Sequence, residues 1–233
     1  ATRAAVAANP GAGPVTDRLL ADDGDAEVRA ELAAKIARLM PDLSRTESAQ
    51  VFALTVETLE CLARDAAVRV RAVLAEEIKH LDCVPRDLVR RLAEDAETLV
   101  AVPILEYSPL LSDADLMEII ACAQTCAALA AMARRTPVSE EVSAAIVKTL
   151  DIPAVATLLV NPDARIRKET MDRILDEAED VSDWHLPLAL RADLSARAIR
   201  RIAVFVGAAL IERLADRHDL SETTRQLLSR ELR

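Results

Sequence analysis

Few residues in this chain have the type and spacing for chemistry. Cys122 and Cys126 are four apart, on one face of a predicted helix, and such a pair could ligate a metal. Zinc sites use tighter paired spacings, with further Cys or His close by. Cys61 and Cys83 are distant in sequence, and no His is near. With Leu129 and Ala133 the pair continues a small apolar stripe, which reads as core packing. His80, His185 and His218 form no metal-binding helix motif. His80 falls near a predicted helix end, where a cation suits the dipole. Asp113/Asp115, Glu140/Glu141 and Asp176/Glu177 cluster at predicted helix ends or solvent faces, and read as capping and solubility.

Two basic clusters interrupt an acidic background. One is Arg69, Arg71 and Lys79. The other is Arg191, Arg197, Arg200 and Arg201, with Arg213 and Arg217 beyond and Trp184 just upstream. An Arg-rich helix with one aromatic could bind phosphate or an acidic partner. Trp184, Arg191, Arg197, Arg200 and Arg201 are therefore the candidate partner-binding residues. The competing reading is a solvated face with salt bridges between repeats. The sequence has no Gly-rich phosphate loop, GxSxG elbow or HExxH. Catalytic, cofactor and metal residues are accordingly predicted as none.

Composition says what must position these residues. The 233 residues are 52% hydrophobic and 29% charged, ample for a solvated core. Aromatics are only 2%, and Ala, Leu and Val supply most of the apolar content, which favours helices over strands. A net charge of −10 lacks the electrostatic footprint of nucleic-acid binding and discourages anionic membranes. The longest apolar run, Ile202 to Ile211, is too short for a bilayer, which needs about 20 residues. It suits a buried helix or a homodimer interface equally. Four cysteines in a chain this long form no disulfide framework, so reduced thiols and a cytoplasmic setting are expected. Residues 1–14 lack the Leu-rich stretch of a signal peptide and read as a flexible leader.

A repeat runs along the rest. The pattern Asp, Ala, any residue, aliphatic, Arg occurs at Asp25–Arg29, Asp65–Arg69 and Asp163–Arg167, with degenerate copies at Asp95 and Asp193. Ser139 through Val142 fills the long gap. The Asp is predicted to cap a helix. The Arg four later is predicted to pair with that Asp or with the next repeat's Asp. Asp25, Arg29, Asp65, Arg69, Asp163 and Arg167 are thus read as structural. Helices are expected near 15–22, 26–40, 44–63, 66–81, 86–94, 96–106, 113–122, 125–134, 139–150, 152–160, 164–179, 183–191, 194–216 and 221–231. Prolines separate many of them, and Pro103 should kink its helix or delay its start. The fold class is an all-α solenoid of antiparallel helix pairs, one domain over 15–233.

The Asp-x-x-aliphatic-Arg motif opening a second helix resembles the HEAT-repeat superfamily. Two stretches, Leu92–Asp113 and Leu158–Ala164, resemble an uncharacterised alphaproteobacterial HEAT-like family. The resemblance implies a fold and no catalytic residues. It points to a scaffold or regulatory adaptor that binds a protein partner, without cofactor. The alternatives are a HEAT-like enzyme, of bilin-lyase or DNA-repair type, and a small-molecule sensor.

Overall fold

The computed structural model describes residues 2–46, 49–122 and 125–206, with residues 210, 211, 223 and 226 beyond them. Among the described residues the chain is all-α, as the composition predicts: fourteen α-helices and one short 3-10 turn. It divides into two compact units, Ala1–Ile119 and Ile120–Arg233, where the repeat pattern predicts one domain.

The first unit stacks its helices in two layers. One layer runs α1 (Thr2–Ala7), α3 (Ala26–Thr46), α5 (Val68–Ile78) and α7 (Thr98–Tyr107), each packed on the next. The other holds α2 (Pro14–Leu20) packed on α4 (Ala49–Leu62), then α6 (Arg86–Ala93) and α8 (Asp113–Ala121). Residues 2–7 are therefore helical rather than a flexible leader. Ala7 is buried and α1 packs on α3. Leu32, Ile36, Met40, Leu74, Ile78, Ile104 and Leu105 are fully buried and form the core between layers. Each such Leu or Ile contributes about 1.5–3 kcal/mol by leaving water.

Pro41 and Pro103 both lie inside helices, α3 and α7. The expected break at Pro41 does not occur: α3 continues to Thr46, over part of the segment predicted to open the next helix. Packing of α3 against α4 and α5 compensates the backbone bond a proline removes. Ser44 through Glu47 has the spacing of a capping box, but these side chains lie outside those described. At α8 one does form. The Ser112 amide donates to Asp115 at 2.8 Å, and the Asp115 amide donates back to Ser112 Oγ.

The second unit follows the same plan with a stricter period. Its outer layer is α10 (Glu140–Thr149), α12 (Lys168–Glu177) and α14 (Ala196–Phe205), each packed on the next. Buried positions recur at Val142, Thr170 and Ala198, at Ile146, Ile174 and Ile202, and at Val147, Leu175 and Ala203: a period of 28 residues. The N-caps Ser139, Arg167 and Ser195 keep that period. The inner layer is α9 (Cys126–Ala133), α11 (Ile152–Val160), the 3-10 turn (Ser182–Trp184) and α13 (His185–Leu190). Residues 164–167, expected to be helical, precede α12. Ala164 forms a parallel β-bridge with Val138 instead. The helix expected over 194–216 is shorter: α14 ends at Phe205, where Val206 is extended, and the helix expected over 221–231 lies mostly outside the described residues.

Candidate functional site

The repeat motif builds a ladder of ion pairs, but in a register the sequence pattern does not predict. Asp65 precedes α5 by three residues, and its carboxylate accepts the Ala67 amide at 2.8 Å. Arg29, near the start of α3, donates to both carboxylate oxygens of Asp65 and to the carbonyl of Asp23. One repeat on, Arg71 donates to both oxygens of Asp95, at 2.6 and 3.0 Å, and to the carbonyl of Asp65 at 2.7 Å. Asp95 in turn accepts the Glu97 amide. At the front of the series Arg3 lies 2.7 Å from Asp23, which accepts the Asp25 amide.

The recurring unit is thus an Asp and an Arg six residues later, at 23/29 and 65/71. It ends at Asp95, where Ala101 stands in the Arg position. The predicted pairing of Arg29 with the next repeat's Asp is present. Arg69 does not pair with an Asp cap: it reaches Glu27 at the surface. Asp65 also stands two residues before the true N-cap, Ala67, which makes no side-chain cap bond. The pattern misleads because Asp25 and Asp65 are both followed by Ala, while the carboxylate equivalent to Asp65 is Asp23.

Burial alone would push the Asp65 and Asp95 carboxyls up. The Arg29 and Arg71 guanidiniums, with the backbone amides, instead hold both below the usual carboxylate range. Asp17 behaves oppositely. It lies buried against Lys35, and desolvation outweighs that attraction and pushes its carboxyl up.

In the second unit side chains at the C-caps of inner helices reach back to backbone carbonyls. Asn161, the C-cap of α11, donates to the carbonyls of Ala133 and Arg135, both at 2.8 Å. Its Oδ1 accepts the Asp163 amide, so Asn161 makes the turn, and Asp163, expected to cap a helix, stands four residues before the N-cap Arg167. Arg191, the C-cap of α13, donates to the carbonyls of Leu158, Leu159, Asn161 and Ala164 and to Asp193. Arg167 pairs with Glu140 and Glu141 on α10.

The predicted partner-binding residues therefore separate. Trp184 is 1% exposed, and its Nε1 donates to the Ile152 carbonyl at 3.0 Å. Arg191 is also buried, at 6% exposed. Both are buried and bonded within the repeats, not displayed on an open face as their assignment expects; Arg191 only edges a cleft. Arg201 lies 3.3 Å from Asp172 and 2.6 Å from Asp176 on α12. Arg197 and Arg200 remain exposed on α14 beside Val204.

Cys122 and Cys126 are also corrected. Both are exposed, and they flank the junction between α8 and α9 rather than sharing one helix. The Asp151 carboxylate accepts from the Cys126 thiol and pushes its pKa up, the opposite of an activated nucleophile. His185 Nε2 lies 2.7 Å from the Ala178 carbonyl, and His80 packs on Tyr107. His218 lies outside the described residues. Among the described residues no group of three or more His, Cys, Asp or Glu could hold a metal ion.

Two clefts remain. One, of about 530 Å³, lies over the ladder and is lined by Arg18, Asp22, Glu57, Cys61 and Arg64 among others. Its charges are largely paired with each other: Arg18 with Asp22 and Glu57, Arg64 with Glu60. The other, of about 240 Å³, lies at the C-terminal ends of α11 and α13. Val160, Leu190, Pro162 and Pro187 line it, and both Val160 and Leu190 are more than half exposed. Sequence reasoning misses this pair. The signal was available: each is the last residue before a C-cap, thirty residues apart.

No curated protein matches the chain. A solved leucine-rich repeat variant with a novel repetitive structural motif is similar over 91% of this chain and 88% of its own, at 14% identity and a TM-score of 0.41. A family model described as an uncharacterised protein conserved in bacteria, DUF2336, matches residues 100–233, more than half of the sequence. The chain belongs to that bacterial family.

Proposed function

We propose that the chain is a protein-interaction scaffold or regulatory adaptor without catalytic activity of its own, built on HEAT-like helix pairs. The observation that carries this reading is the apolar edge formed by Val160 and Leu190. Large aliphatic side chains stand in water at equivalent places in consecutive repeats, on a chain with ample core to bury them. Exposed apolar surface grouped around a cleft is the mark of a protein contact. The internal polar groups support the same reading. Asp23, Asp65, Asp95, Asn161 and Arg191 all bind neighbouring repeats, so their role is to fix one helix pair on the next. The acidic balance weighs against nucleic acid as the partner. Four free thiols fit the reducing cytoplasm. No helix among the described residues is long and apolar enough to cross a membrane.

The test is a photo-crosslinking amino acid placed singly at Leu190, at Val204 and at the exposed polar position Glu169, in the native host. The reading expects a discrete crosslinked protein from Leu190 or Val204 and none from Glu169. A band at twice the chain's mass would identify a second copy as the partner. Silence at both apolar positions would remove the scaffold reading.

A further inference from the structure

We infer that the exposed face of α14 carrying Arg197, Arg200 and Val204 docks an acidic amphipathic helix of a partner protein. This rests on the scaffold reading and names the chemistry of one partner.

The argument comes from the 28-residue period of the outer layer. Aligned on their buried residues, α10, α12 and α14 place Ala144, Asp172 and Arg200 at one position. They place Lys148, Asp176 and Val204 at the position one turn later. On α12 these two positions meet the following helix: Asp172 and Asp176 accept from Arg201 of α14. The same two positions on α14 therefore look toward whatever lies beyond it. There the sign is reversed. Arg200 stands where α12 has a carboxylate, and Val204, 78% exposed, stands where α12 has the second. Arg197 adds a cation on the same stripe, since 197, 200 and 204 share one helix face.

A helix laid on α14 as α14 lies on α12 must therefore bring carboxylates to Arg197 and Arg200 and an apolar side chain to Val204. Acids at i and i+4 beside a leucine stripe meet both demands. The pairing Arg201 makes with Asp172 and Asp176 is the template for that contact. A basic helix would set like charges together, and a neutral one would leave both guanidiniums unpaired.

The probe is a labelled, stapled helical peptide with glutamates at i and i+4 beside a leucine stripe. Its counterpart has lysines in place of the glutamates. Binding to the full chain is read by fluorescence anisotropy. The glutamate peptide is expected to bind at least about tenfold more tightly than the lysine peptide, as close charge pairs at an interface do. The Arg197→Glu/Arg200→Glu variant should invert that preference while keeping the helical circular dichroism of the parent. Equal affinity for both peptides, or a preference that survives the double substitution, overturns the inference. So does failure of either peptide to bind, the result expected if residues 207–233 of the same chain occupy the face. Should the double variant unfold, a photo-crosslinker at Val204 in the otherwise unchanged chain decides: labelling by the glutamate peptide supports the inference, and its absence ends it. A protein crosslinked from Leu190 in the host while the peptide fails leaves the scaffold reading standing and removes only the α14 assignment.

Discussion

At the scale of single residues, the buried Lys35–Asp17 pair makes the sharpest demand on the energetics. Both side chains are almost wholly removed from water. Desolvating two charges is expensive, and removing one partner strands the other. Asp17→Ala is expected to cost about 3–5 kcal/mol in urea unfolding. The double change Asp17→Leu/Lys35→Met should recover most of that loss, because apolar groups of similar size need no partner. A double variant as unstable as the single one would show that the pair contributes more than mutual neutralisation. Nothing in the sequence marks either residue as buried: both read as ordinary solvated helix charges. The thiols failed to be read for a similar reason. Exposure of Cys126 depends on where α9 begins, and its link to Asp151 joins residues far apart in the chain. That link makes its own prediction. Asp151→Asn keeps the cap on α11 but removes the charge that holds the Cys126 thiol up. Alkylation of Cys126 by iodoacetamide at pH 8, followed by peptide mass spectrometry, should become several-fold faster. An unchanged rate would mean that the carboxylate does not govern the thiol.

At the scale of elements, the ladder turns a sequence motif into a stacking rule. The helix layers were legible in advance, because apolar spacing and proline positions follow from each helix alone. Of the rungs, Arg29 with Asp65 was legible from the motif and Arg71 with Asp95 was not, since a rung joins residues 24 or 36 positions apart and depends on the length of chain between them. An offset of four counted from Asp25 reaches Arg29, but the carboxylate equivalent to Asp65 is Asp23, so the same offset from Asp65 picks Arg69 instead of Arg71. Substitution separates the two. Arg71→Ala breaks a mostly buried, bidentate pair with Asp95 and a bond to the Asp65 carbonyl, and should cost roughly 3 kcal/mol. Arg69→Ala breaks an exposed pair with Glu27 and should cost about 0–1 kcal/mol. Equal losses would contradict the register of the ladder. The same rungs set the response to acid. Asp65 and Asp95 have folded pKa values below their unfolded ones, so their contribution is complete above about pH 3.9 and is lost as pH falls through the folded values. Asp17 has the opposite sign: its contribution is present at low pH and fades as pH rises through its raised folded value. Two rungs against one buried acid should leave stability falling on acidification below about pH 4. In Asp65→Asn, urea unfolding at pH 5, 4 and 3 should show a shallower fall than in the parent chain.

At the scale of the whole molecule, net charge and local charge oppose each other, and salt distinguishes them. The chain carries −10, yet the α14 face that should receive an acidic helix carries Arg197 and Arg200. An approaching glutamate peptide therefore feels repulsion from the molecule and attraction from the patch. The two act over different ranges. At 0.01 M salt the screening length is about 30 Å, long enough for the acidic background to reach the peptide. At 0.1 M it is about 10 Å, and only the nearest charges remain in view. At 1 M it is about 3 Å, and the contact pairs themselves weaken. Affinity should therefore rise from 0.01 to 0.1 M salt and fall again by 1 M. A basic patch on a neutral or basic protein would give a steady decline from the lowest salt. A monotonic decline here would place the peptide away from the acidic background, or on a different surface. A maximum near physiological salt would mean that the net charge acts as a filter, admitting an acidic helix only when two guanidiniums and an apolar contact at Val204 meet it at close range.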